Sequence, residues 1–134
     1  MPISIKGIIV GMLFGFVMSL VLGLVMGFAL AAMFGAESAT DFLSTTESGR
    51  MTAPLLFIDA IISVAAGYVA ARVAGRGELV NAVLSNLLGA AIGMFIAMLL
   101  TPDALVDGLI ELALLPLFGL LGGYMRLRQV TEFA

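Results

Sequence analysis

Asp59 and Glu111 are the residues of this chain best placed to do chemistry. Each falls about two turns into a long apolar segment. An ionisable group at membrane depth marks an ion pathway, a proton relay or a ligand counter-ion. If the two carboxylates face each other, like charges in a low dielectric cannot both ionise cheaply, and a shared proton or a bound cation results. Pro116, next along from Glu111, is expected to free the carbonyl of Leu112 and kink its helix, which would offer a further oxygen ligand. The competing reading is structural. Both acids could be hydrated near the surface or serve as neutral hydrogen-bond partners between helices, Asp59 with Ser19 for example, and a lipid head group is a third possible contact.

Other chemistry is closed off by what the chain lacks. There is no Cys and no His, so no disulfide, thiol nucleophile, thiolate metal site or imidazole base is available. A nucleophile would need a carboxylate or Lys as its base, and neither Lys6 nor any Ser stands at a suitable spacing. We therefore expect no catalytic residues, no metal site, no cofactor and no enzyme. Net charge is −3 with no basic tract, which leaves nucleic acid without an electrostatic footprint. A second polar group gathers Asn81, Ser85 and Asn86 near Arg72 and Arg76. Arg72, Arg76, Asn81 and Asn86 are candidates for an anionic lipid head group; helix capping and charge anchoring are the alternative. Asp103 and Asp107 fall in the first turns of a helix and complement its dipole. Ser19 can bond its own helix backbone.

The elements that must position these groups are membrane helices. The 134 residues are 62% hydrophobic and 11% charged, with a mean hydropathy of +1.21. A soluble domain carries about 25% charged residues, so this composition cannot cover a water-facing surface. The spacing predicts a single all-α transmembrane domain over 1–134, with helices at about 5–35, 54–74, 78–100 and 102–126. The first apolar run is about twice the length of a signal-peptide core of roughly 7–15 residues, so it reads as a retained helix. It exceeds the ~30 Å hydrocarbon core and must tilt, bend or protrude. Pro54 opens the second helix, Gly75-Arg76-Gly77 ends it, and Thr101-Pro102-Asp103 reads as the cap, first residue and dipole-favoured acid of the fourth. The polar stretch 36–53 is an outer loop, either plain or carrying a short surface helix with Phe42, Leu43 and Met51 toward the membrane.

Small residues recur every fourth position. The first helix carries Gly7, Gly11, Gly15, Ser19, Gly23, Gly27, Ala31 and Gly35. The second carries Asp59, Ser63, Gly67 and Ala71, the third Asn81, Ser85, Gly89 and Gly93, and the fourth Gly119 and Gly123. Such a glycine-zipper-like stripe lets helix backbones approach closely in lipid, where the hydrophobic drive between helices is absent. A four-residue step overshoots the helical turn by about 40°, so the stripe spirals. Different stretches then meet different neighbours, and part of the first helix is left for a second subunit.

Lys6, Arg72, Arg76, Arg126 and Arg128 flank one side of the membrane and Arg50 alone the other. The positive-inside rule places both termini and the 75–77 loop in the cytoplasm, in a cell inner (cytoplasmic) membrane. Asp59 and Glu111 then share a depth in the outer leaflet.

Ile5-Lys6-Gly7 before a Gly-rich helix, Gly67-Tyr68-Val69-Ala70-Ala71-Arg72 and Gly77-Glu78-Leu79-Val80-Asn81-Ala82 resemble small bacterial four-helix membrane proteins of unknown function. The resemblance implies a fold and a location, not an activity. Small multidrug resistance transporters carry a carboxylate in their first helix, and residues 7–35 contain none. Asn86-Leu87-Leu88-Gly89 with Gly93 is similar to the Asn-x-x-Gly segment of fluoride channels, but it lies in the third helix rather than the second, and the first helix lacks that family's Arg. The sequence thus points first to a non-enzymatic membrane protein that acts through assembly, as a homo-oligomer or an accessory subunit, with lipids and itself or another membrane protein as partners. The alternative is a small proton- or cation-coupled transporter or channel using Asp59 and Glu111.

Overall fold

Each long apolar run of the sequence forms one helix. The computed structural model describes residues 2–37, 41 and 53–134. Helix α1 spans Ile5–Phe34, α2 Ala53–Ala74, α3 Glu78–Leu100 and α4 Leu105–Glu132. These four are long and apolar enough to cross a membrane, which makes the chain a multi-pass membrane protein. The expected surface helix with Phe42, Leu43 and Met51 lies outside the described residues.

Local chemistry sets the ends. The Ser4 side chain caps α1 by accepting from the Gly7 N–H at 3.1 Å. Gly35 stops it with φ of 90°, a conformation that side chains resist. Pro54 falls in the first turn of α2, where a missing N–H costs nothing. Gly75 and Gly77 turn the chain between α2 and α3 with φ of 64° and 59°. Thr101 leads into a 3-10 turn, Pro102–Ala104, without a side-chain cap bond. Helix α4 runs past the expected end near Arg126, through the buried Pro116, to Glu132. Its last turns are held by an Arg128–Glu132 ion pair and by the Tyr68 hydroxyl, which donates to Gln129 at 2.8 Å.

Helices α2 and α3 form the short diagonal of the bundle. Helix α4 packs on one side of that pair and α1 on the other. Both termini and the 75–77 loop share one end, called here the terminal end. The fully buried positions there are small: Ala70, Ala71, Ala82, Asn81 and Ser85. Glycines let the backbones meet. A Cβ at Gly7 would lie 2.8 Å from the Ala70 carbonyl oxygen, and one at Gly123 would lie 2.7 Å from Ala82 Cβ. Gly67 of α2 meets the backbone of Gly119 of α4, and the neighbouring Gly122 meets the Val64 carbonyl. Contact this close gains dispersion energy that bulkier residues would forbid.

The far half of α1 is packed differently. Leu20, Leu24, Phe28 and Phe34 are all exposed, and a Cβ at Gly23 or Gly27 would meet nothing within 4 Å. Gly67→Leu should therefore lower the unfolding stability of the chain by about 1–3 kcal/mol, the usual cost of overpacking. Gly23→Leu should leave it unchanged, and denaturant titration in mixed micelles reads both.

Candidate functional site

The Gly67–Gly119 contact fixes more than a crossing point. Helices α2 and α4 both run toward the terminal end, so they are parallel. Asp59 and Glu111 each stand eight residues before these contacting glycines. The two carboxylates are therefore level with one another along the bundle.

They open onto one cavity of about 150 Å³ to which all four helices contribute. Helix α1 gives Gly11, Met12, Gly15, Phe16 and Ser19; α2 gives Asp59, Ile62, Ser63 and Ala66; α3 gives Ser85, Asn86, Gly89, Ala90 and Gly93; α4 gives Glu111 and Leu115. Glycines Gly15, Gly89 and Gly93 here leave space instead of closing it. A Cβ at Gly15 would come no nearer than 3.5 Å to Ala66, one at Gly89 no nearer than 3.7 Å to Met12, and one at Gly93 would meet nothing within 4 Å. The same residue type that draws the helices together at the terminal end hollows the bundle at the level of the carboxylates.

Charge in the cavity is uneven. Asp59 and Glu111 are half-buried, and Asp107 stands one turn before Glu111 on the same helix. Among the described residues no Lys or Arg lines the cavity. Among the described residues no group of three or more His, Cys, Asp or Glu gathers to hold a metal ion. The cavity can thus hold a proton or one positive charge beside two acids.

The inner end is closed. At Gly11 a Cβ would lie 2.5 Å from both Ala70 Cβ and the Ser85 hydroxyl oxygen, and 2.9 Å from the Ala66 carbonyl oxygen. Ser85 is fully buried, and its hydroxyl has no hydrogen-bond partner among the described residues. A buried hydroxyl left unpaired costs about 1–3 kcal/mol, so this one stands out in a core where the neighbouring polar groups are satisfied. Asn86 donates to the Ser63 carbonyl at 3.2 Å and the Ala82 carbonyl at 3.1 Å. Asn81, completely buried, accepts from the Ser4 N–H at 2.7 Å. Its amide donates to the carbonyls of Pro2, Arg76 and Gly77. It ties the amino-terminal segment to the α2–α3 turn beneath the cavity.

The other sequence candidates divide clearly. Gly7, Gly11, Gly67, Gly119 and Gly123 stand at close helix contacts, whereas Gly23 and Gly27 stand free. Ser19 is exposed at the cavity rim. Arg72 and Arg76 are exposed, while Asn81 and Asn86 are buried with their amides on backbone carbonyls. Two features had no role in the sequence reading, the contact glycine Gly122 and Gly108, which packs on Met94; Ser85, read there as part of a polar group with Asn81 and Asn86, is buried with its hydroxyl unpaired among the described residues. The Gly122-Gly123 doublet was a usable signal, since adjacent glycines serve two different neighbouring helices. Comparison of the chain with protein-family models, with curated proteins and with solved structures returns no match.

Proposed function

We propose that this chain is a small cation-handling membrane transporter in which Asp59 and Glu111 hold one positive charge between them. The observation that carries the reading is their shared cavity, on two helices whose glycine contact sets them level. Two acids close together in a low dielectric favour the state with one proton. A monovalent cation entering the cavity replaces that proton at constant net charge, so uptake of one and release of the other are coupled. The closed floor at Gly11, Ser85 and Asn81 supports a pocket open to one side at a time rather than a continuous pore. By the positive-inside rule the termini lie in the cytoplasm and the cavity faces outward, in a cell inner membrane.

The test is flux in liposomes containing the purified chain, with an internal pH dye. Imposed gradients of sodium, potassium or small ammonium ions should move protons in the wild type. Asp59→Asn and Glu111→Gln should reduce this at least tenfold while leaving the helix content unchanged. Wild-type protein that moves no protons under any of these gradients, in either direction, overturns the reading.

The far half of α1 supports a second reading, assembly with a second copy or as an accessory subunit. Among the described residues, a Cβ at its Gly23 or Gly27 would meet nothing within 4 Å, and Leu20, Leu24 and Phe28 beside them are exposed. Gly23→Leu, neutral to the fold of the single chain, should then reduce the native mass after mild extraction to that of one chain. An unchanged mass removes this reading.

A further inference from the structure

The cavity is graded along the bundle axis. Asp59 marks one level and Ala66, seven residues deeper on the same helix, marks another, about 10 Å away at 1.5 Å per residue. The Ser85 hydroxyl lies at the deeper level, since it and the Ala66 carbonyl flank the same Gly11. Between the two levels the wall carries Phe16, Ile62 and Leu115, with the buried Ser63 and with Asn86, whose amide is already taken up by the Ser63 and Ala82 carbonyls. A charged end, a largely apolar middle and a buried hydroxyl without a partner among the described residues follow one another.

A bare metal ion does not fit this order. Hard cations such as Ca²⁺ and Mg²⁺ want about six or more oxygens converging on one point. Here the side-chain oxygens are spread along the axis, and no three acidic or imidazole groups converge among the described residues. An organic cation fits better. Its ammonium N–H groups donate to the carboxylates as charge-assisted bonds. Its carbon chain lies on the apolar wall. A polar group at its other end pairs with the hydroxyl that the fold leaves without a partner. A void of 150 Å³ suits a benzene-sized guest of about six to eight heavy atoms.

We propose that the cavity binds a small primary amine carrying a hydrogen-bonding group at the end remote from its charge, with Asp59 and Glu111 taking the ammonium and Ser85 the remote group. The proposal rests on the cation-site reading above and narrows it to a chemical class. Ser85 then sets specificity and the carboxylates set affinity.

Calorimetric titration of the full chain in nanodiscs tests it with three probes: 5-amino-1-pentanol, pentylamine and sodium chloride. The wild type should bind the amino alcohol about fivefold more tightly than pentylamine, the value of one net hydrogen bond. Ser85→Ala should level the two amines with pentylamine unaffected. Asp59→Asn should weaken both at least tenfold. Gly93→Leu, whose new side chain enters open space, should block both without moving the unfolding midpoint, which separates occupancy of the cavity from loss of the fold. The proposal is overturned if the amines do not bind, if sodium displaces them at equal concentration, or if Ser85→Ala keeps the wild-type preference. Absent amine binding with carboxylate-dependent proton flux intact would sink this proposal alone. Amine binding without any flux would leave it standing and remove transport.

Discussion

The backbone contact between Gly67 and Gly119 is the constraint on which the rest depends. Helices in lipid gain nothing from hiding apolar surface from one another, so dispersion at close range has to hold them. That requires positions without side chains, and each such position costs helix propensity of about 0.5–1 kcal/mol. The return is an exact register. With α2 and α4 parallel and locked at these two glycines, Asp59 and Glu111 can only be level. A slip of one residue on either helix would turn a carboxylate by about 100° and away from the other. The chemistry of the site is thus a consequence of packing two turns away from it.

Small residues do two opposite things in this molecule. At the terminal end Gly7, Gly11, Gly119, Gly122 and Gly123 bring backbones together around Ala70, Ala71 and Ala82. Further along, Gly15, Gly89 and Gly93 line a gap between the helices, and the missing side chains become the cavity. Close contact and the Asn81 hydrogen bonds hold the helices at one end. Where α1 leaves its neighbours, the same stripe has nothing to fill it.

The helices themselves were legible from the residues, because length of apolar run, Pro54, the Gly75 and Gly77 turn and Pro102 punctuate the chain unambiguously. That Asp59 and Glu111 stand level along the bundle was legible too, by counting turns from the same end. Their common cavity was not, because it depends on the angle about each helix axis, and a four-residue stripe that spirals leaves that angle open. The fate of Asn81, Ser85 and Asn86 was hidden for a similar reason. Beside two arginines they read as a surface group, yet short amides and hydroxyls reach the backbone of a neighbouring helix when small residues let it come near. The extension of α4 to Glu132 rests on a partner far away in sequence, Tyr68.

The central claim is that Asp59 and Glu111 face one another in the folded chain. The natural sequence contains no cysteine, so a pair introduced at these positions reports without background. The most direct measurement is cross-linking of an Asp59→Cys, Glu111→Cys double variant in membranes with a short bifunctional thiosulfonate, with Phe57→Cys, Glu111→Cys as the control, since Phe57 is exposed. The account predicts rapid intramolecular cross-linking of the first pair and none of the second. Equal reaction of both pairs, or linkage only between chains, would contradict it.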